Sequence, residues 1–223
     1  MGELIFRKLS SIEPVVEYLA GLINRHLEKN DKVLWLVPGG SAIEVAAEVS
    51  KRLPKNYLSN LTVTLTDERY GQIGHKDSNW TQLKTAGFKL DGANLQPVLT
   101  GLSLEKTAVR YSKMVEEDLN QTVYSVALAG MGPDGHILGI KPKSPAVDSV
   151  KLAVGYEWDD FTRLTLTEKA ISLLDETVIY AVGEEKWPQF DALERDLPAQ
   201  EQPAQLLKRS KKVIIFNDYR GTK

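Results

Sequence analysis

The chain has 223 residues, 42% hydrophobic and 26% charged, with a formal net charge of −2. That balance fits one soluble globular domain over residues 1–223 and leaves no basic block to bind nucleic acid. The absence of cysteine excludes disulfides, thiolate metal sites and a cysteine nucleophile. Residues 1–7 lack the apolar stretch of a signal peptide and no run approaches membrane-spanning length, so the expectation is a cytoplasmic protein with no membrane partner.

Ile12, Val15, Val16, Leu19, Ile23 and Leu27 recur at helical spacing and predict a helix over residues 11–30. Ser10 or Ser11 can cap it, and Pro14 sits in the first turn, where a missing N–H costs little. Val33–Val37 is a short, wholly apolar run, the mark of a strand buried on both faces. Pro38-Gly39-Gly40-Ser41 leads into a helix over residues 42–53, and the β-branched alternation of residues 61–66 predicts a second strand. A helix over residues 103–119 precedes the strand Tyr124–Ala129. After a stretch rich in Lys, Pro and Ser (residues 141–149) come strands over 161–166 and 177–182. The second is broken by Gly183-Glu184-Glu185-Lys186, where a helix begins. A short helix over 204–209 and a strand over 213–216 close the chain. There is no internal repeat. Alternating strands and helices imply an α/β fold: a doubly wound, mostly parallel, Rossmann-like sheet with helices on both faces. Ligands of such sheets bind beyond the carboxyl ends of the strands, so the loops there carry the chemistry.

The strand Tyr124–Ala129 empties into Gly130-Met131-Gly132-Pro133-Asp134-Gly135-His136. Glycines let backbone N–H groups face a ligand closely, Asp134 can orient the imidazole, and histidine is the side-chain type that titrates near neutrality. The plainer reading is a glycine turn with a solvated His136. Gly39-Gly40-Ser41 lies between a buried strand and a helix, where free N–H groups and the Ser41 hydroxyl can receive a phosphate or carboxylate. It is neither a Walker loop nor a dinucleotide fingerprint, and Ser41 can equally be an N-cap. Thr66-Asp67-Glu68-Arg69 ends the next strand, with Asp77-Ser78-Asn79 in the loop behind. Asp67 and Arg69 there can handle a sugar hydroxyl and a phosphate, or form a surface ion pair with Glu68 that contributes little. Ser78 and Asn79 can equally cap the helix that follows. Arg163 on a strand and Lys186 after Gly183 can fix a phosphate as fork and point charge, or be ordinary surface charge. His75 reads as a solvated loop residue and His26 lies on a polar helix face. Trp35, Trp80, Trp158 and Trp187 read as packing residues.

Taken in order, these pieces resemble the 6-phosphogluconolactonases, within the wider group that includes the glucosamine-6-phosphate deaminases. The resemblance runs over most of the chain, from Pro38-Gly39-Gly40-Ser41 through Thr66-Asp67-Glu68-Arg69 with Asp77-Ser78-Asn79 to Gly130–His136 with Pro142. It continues with Arg163-Leu164-Thr165-Leu166-Thr167, Gly183-Glu184-Glu185-Lys186 and a Pro-Ala pair near the C-terminus. Asp67-Glu68-Arg69 followed by Ser78-Asn79 is similar to the lactonase branch. Deaminases carry a tyrosine at the position of Arg69 and a catalytic glutamate before the proline that matches Pro142, where this chain has Lys141. A lysine is a cation and cannot stand in for that acceptor. The lactonase pattern also departs here: Gly139 replaces a serine, Lys141 a phenylalanine, Lys143 a glycine, and Gly71-Gln72 a Val-Pro pair.

The resemblance implies hydrolysis of 6-phospho-D-glucono-1,5-lactone to 6-phosphogluconate in the oxidative pentose phosphate pathway, with no metal and no cofactor. His136 would take a proton from the attacking water and return one to the ring oxygen, with Asp134 holding the imidazole and Asp67 binding hydroxyls or orienting the water. The backbone N–H groups of the glycine loop, Gly130 and Gly132 included, would stabilise the oxyanion. Gly39, Gly40, Ser41, Arg69, Asn79, Arg163 and Lys186 complete the substrate- and phosphate-binding set. The rivals are a sugar-phosphate deaminase or isomerase using Asp67 as base, and a sugar-phosphate-binding regulator without turnover. The sequence does not speak to the oligomeric state.

Overall fold

The five residues of Val33–Val37 are all buried, so the strand they form has no solvent face and must lie inside a sheet covered on both sides. The computed structural model describes residues 3–221. Its first half comprises β1 (Glu3–Lys8), α1 (Glu13–Leu27), β2 (Val33–Val37), α2 (Ile43–Ser50), β3 (Leu61–Leu65), β4 (Asp67–Arg69), α3 (Asn79–Thr85), β5 (Asn94–Leu95) and α4 (Leu104–Gln121). Then follow β6 (Tyr124–Ala129), β7 (Ala153–Tyr156), β8 (Arg163–Leu166), α5 (Glu168–Leu173), β9 (Glu176–Ala181), α6 (Trp187–Leu193) and β10 (Lys212–Asn217).

Seven strands pair in the order β1-β10-β9-β6-β2-β3-β5, every neighbouring pair parallel. From β2 the chain steps outward through β3 to β5, and from β6 it steps the other way through β9 to β10. The switch point therefore falls between β2 and β6, and the crevice beyond their carboxyl ends is where this topology places a ligand. The doubly wound, mostly parallel sheet expected from the pattern is present. A second, antiparallel sheet, β4-β8-β7, sits beside it and sets Arg69 opposite Arg163 in register.

The apolar stripe of α1 buries Val15, Val16, Leu19, Ile23 and Leu27, as its spacing requires. Its N-cap is Ile12 with no side-chain bond, so neither Ser10 nor Ser11 caps it, although Pro14 does lie in the first turn. Ser103 caps α4 by accepting from the Lys106 N–H at 3.4 Å. Strands β1, β4, β5 and β7 and helix α5 are not anticipated by the pattern. The strand expected over 161–166 starts only at Arg163, and the helix expected over 204–209 is a 3-10 turn, Pro203–Arg209. Trp35 is fully buried, while Trp80, Trp158 and Trp187 pack at the edge of the core. Among the described residues no helix is long and apolar enough to cross a membrane.

Candidate active site

A cavity of about 300 Å³ opens beyond the carboxyl ends of β2, β3, β6 and β9, at the switch point. The segments after β2, β6 and β9 and two strands of the small sheet, β4 and β8, converge on it. From β2 come Gly39, Gly40 and Ser41; from β3 and β4, Asp67 and Arg69; from β6, Gly130, Gly132 and His136; from β8, Arg163; and from the turn after β9, Lys186. Asn79, at the start of α3, lines it as well. Of the expected site residues only Asp134 lies off the wall, and it sits behind His136.

Asp134 Oδ1 stands 2.5 Å from His136 Nδ1. Its other oxygen, Oδ2, accepts from Lys141 Nζ at 3.1 Å, and the same ammonium is 3.2 Å from His136 Nδ1. Burial alone would raise the Asp134 pKa. The hydrogen bonds and charge of His136, with the Lys141 ammonium, outweigh it and hold the carboxyl well below its ordinary range. With Nδ1 engaged by an ionised carboxylate, Nε2 is the ring nitrogen left for a reacting proton.

The glycines of this loop serve geometry more than donation. Gly132 passes so close beneath the His136 ring that a β-carbon there would overlap the imidazole. Its N–H turns back to the His136 carbonyl at 2.9 Å, and the Gly135 N–H goes to the Gly132 carbonyl at 3.0 Å. The expectation that the Gly132 N–H stabilises an oxyanion is therefore corrected: the tight turn that holds the ring consumes that donor. Leu138, just beyond and on the cavity wall, has φ +51°, a left-handed conformation rare for a branched side chain. Gly132→Ala is expected to displace the ring and lower kcat by about 10²-fold, a loss that a misplacement of roughly 1 Å at a reacting group can cause. An unchanged kcat in a variant with wild-type circular dichroism would show that ring placement does not depend on this contact.

Asp67 and Glu68 are buried and form no ion pair with Arg69, which sets aside the surface-pair reading. The Glu68 carboxylate accepts from Ser78 Oγ at 2.9 Å and from the N–H groups of Arg69, Asn79 and Trp80 at 2.8, 2.6 and 3.3 Å. Burial raises its pKa, offset in part by these four hydrogen bonds, and Ser78 is the N-cap of α3, accepting from the Thr81 N–H at 3.2 Å. Asn79, anchored by this arrangement, donates through Nδ2 to the Asp67 carbonyl at 2.9 Å and to Asp67 Oδ2 at 3.2 Å. Its amide nitrogen is thus spent on Asp67. Gly39 makes room for it, since a β-carbon at Gly39 would overlap the Asn79 amide. Burial raises the pKa of Asp67, offset in part by the Thr66 hydroxyl and the charges of Arg163 and His136.

Arg69 stacks on Phe161, its guanidinium carbon 4.2 Å from the ring centroid, and donates to the Asp77 carbonyl at 3.3 Å. Arg163 is buried on β8, and its Nη2 lies 2.6 Å from Asp160 Oδ2. Lys186 is buried in a 3-10 turn with no carboxylate within ion-pair distance among the described residues. Ser41 is exposed in the 3-10 turn Gly40–Ala42; Ala42 is the N-cap of α2, so Ser41 is not a cap and its hydroxyl faces the cavity. His75 is not a freely solvated residue, because its Nε2 bonds the Arg69 carbonyl at 2.9 Å. His26 stacks on Tyr124 at 4.0 Å between centroids, remote from the cavity. Asp160 and Met131 also line the cavity. Nothing in the sequence singles them out, and Lys141 is visible there only as a departure from a pattern. Among the described residues no group of three or more His, Asp or Glu side chains is arranged to hold a metal ion.

Four cations (Arg69, Lys141, Arg163 and Lys186), a serine hydroxyl and a carboxylate-held imidazole around one crevice define an α/β site for a small anionic ligand. A family profile described as glucosamine-6-phosphate isomerases/6-phosphogluconolactonase matches residues 8–216. The chain belongs to that family. It is 26% identical over 212 residues to a 6-phosphogluconolactonase of Thermotoga maritima, covering 92% of this chain and 93% of that one. The crystal structure of a 6-phosphogluconolactonase from Thermotoga maritima shares the fold with a TM-score of 0.84 at 23% identity, over 96% of this chain and 99% of that one. A 6-phosphogluconolactonase structure from Shewanella baltica does so with a TM-score of 0.82 at 22% identity, over 96% of this chain and 97% of that one.

Proposed function

We propose that this chain is a 6-phosphogluconolactonase, hydrolysing 6-phospho-D-glucono-1,5-lactone to 6-phosphogluconate. The observation that carries the reading is the Asp134–His136 pair, 2.5 Å apart, on the wall of a cavity that also holds Arg69, Arg163 and Lys186. The lactonase relatives support it, and so does the deaminase signature that is missing: position 141 is a lysine bonded to Asp134, with no carboxylate in its place.

His136 Nε2 accepts a proton as water attacks C1, and the same proton goes to the ring oxygen as the C1–O bond breaks. Atoms balance as lactone plus water to hydroxy acid. Asp134 keeps the ring oriented and stabilises its cationic form. Asp67, fixed by Asn79 and Thr66, faces the cavity as an acceptor for sugar hydroxyls or the incoming water. Arg69, Arg163, Lys186 and Ser41, with the Gly39-Gly40 backbone, receive the phosphate. The lactone carbonyl is already electrophilic, so the reaction requires no metal. The purified chain should open the phospholactone well above its spontaneous hydrolysis, followed by coupled oxidation of 6-phosphogluconate, and a strong chelator should leave the rate unchanged. A chain that releases ammonia from glucosamine 6-phosphate but leaves the lactone at its spontaneous rate would overturn the reading.

A further inference from the structure

The cavity contains one acid beyond those that the hydrolysis uses. Asp160 lies in the loop before β8, on the same wall as Arg69, Arg163 and Lys186. Its Oδ2 is 2.6 Å from Arg163 Nη2, and its Oδ1 accepts from the Phe161 N–H at 2.8 Å. Burial works to raise its pKa and is outweighed by the charge and hydrogen bond of Arg163, the Phe161 N–H and the nearby Lys141, so the carboxyl is ionised at neutral pH. The two partners are unequal in exposure and setting. The Arg163 side chain is 8% exposed and seated on a strand, whereas the Asp160 side chain is 46% exposed on a loop. Only one terminal nitrogen of the guanidinium is used, and the buried Arg163 Nε has no partner among the described residues. The pair is therefore not the two-bonded fork that makes arginine–carboxylate contacts strong.

We propose that Asp160 is a specificity-determining residue, an internal anion that occupies Arg163 and is displaced only by a phosphate-bearing ligand. This rests on the reading of the cation cluster as a phosphate site. A phosphate dianion brings two charges and several acceptor oxygens to Arg69, Arg163 and Lys186 together, and so outcompetes a single carboxylate. A neutral sugar, or a ligand with one negative charge, gains too little from Arg163 to move Asp160 aside. Discrimination thus comes from a competitor that weaker ligands cannot dislodge as well as from attraction.

The test is titration of the full chain with inorganic phosphate by calorimetry at fixed ionic strength, comparing wild type with Asp160→Asn and Asp160→Ala. Asp159→Asn serves as the control, since it removes the same charge from an exposed neighbour that does not line the cavity. Both Asp160 variants should bind phosphate about three- to tenfold more tightly, the range of a partly exposed charged pair, and Asp159→Asn should match wild type. Unchanged or weaker phosphate binding by Asp160→Asn, in a protein with wild-type melting, would overturn the proposal and make Asp160 a support for Arg163. Equal tightening by Asp159→Asn would overturn it too, by assigning the gain to the general field. Identical phosphate binding by wild type and Arg163→Met would instead remove the phosphate reading itself.

Discussion

His136→Ala is expected to lower kcat by about 10²–10⁴-fold, the usual contribution of a general acid–base group. The imidazole lies on the cavity wall with the Asp134 carboxylate hydrogen-bonded behind it, 2.5 Å from Nδ1, and a ring nitrogen to spare. The loss should appear in kcat more than in KM, because the proposed phosphate contacts lie on other elements. The fold should survive, since the loop is closed through backbone atoms: the Gly132 N–H bonds the carbonyl of residue 136 whatever side chain it carries. Asp134→Asn tests the same assignment from behind, as an amide can still bond the ring but cannot stabilise its cationic form. It should lose kcat by a smaller factor. A His136→Ala enzyme with kcat near wild type would end the assignment.

The central sheet was legible because its strands are unmistakable in type. Val33–Val37 and Tyr124–Ala129 are buried nearly throughout, and a buried parallel strand has to be apolar on both faces. The short strands of the small sheet carry no such mark. Asp67–Arg69 is three residues of charge, and Ala153–Tyr156 includes a glycine, so only their pairing with β8 makes them strands. At the site, glycine-rich strand ends and the Asp134–His136 spacing are local features and can be read along the chain. Glu68 is the opposite case. Its carboxylate reaches ten to twelve residues ahead to Ser78, Asn79 and Trp80, and that reach exists only once β4 and α3 are packed together. Asp160 looks like one more solvated acid until the strand start at Arg163 places it against a guanidinium. The spatial partners of charged groups, three residues away for Asp160 and ten to twelve for Glu68, were what periodicity and motif could not supply.

Lys186→Met should cost the phosphorylated lactone tenfold or more in kcat/KM. Lys186 is buried on the cavity wall without a carboxylate within ion-pair distance among the described residues, and Asp218 feels its charge only at longer range, so no direct partner has to be displaced when an anion arrives. A charge-assisted hydrogen bond contributes roughly 1.5–3 kcal/mol, which corresponds to a factor of about ten to more than a hundred. Methionine keeps most of the length and apolar volume of the lysine stem, so packing around the turn after β9 should be largely retained. Arg163→Met should act in the same direction by a smaller margin, because Asp160 already competes for that guanidinium. Each loss is expected in KM, since the phosphate is remote from the bond that breaks and is held equally in ground and transition states. Unphosphorylated gluconolactone is the control, for it presents no dianion and should be nearly indifferent to either change. If both substrates lose equally, Lys186 and Arg163 support the fold and the phosphate must be bound elsewhere.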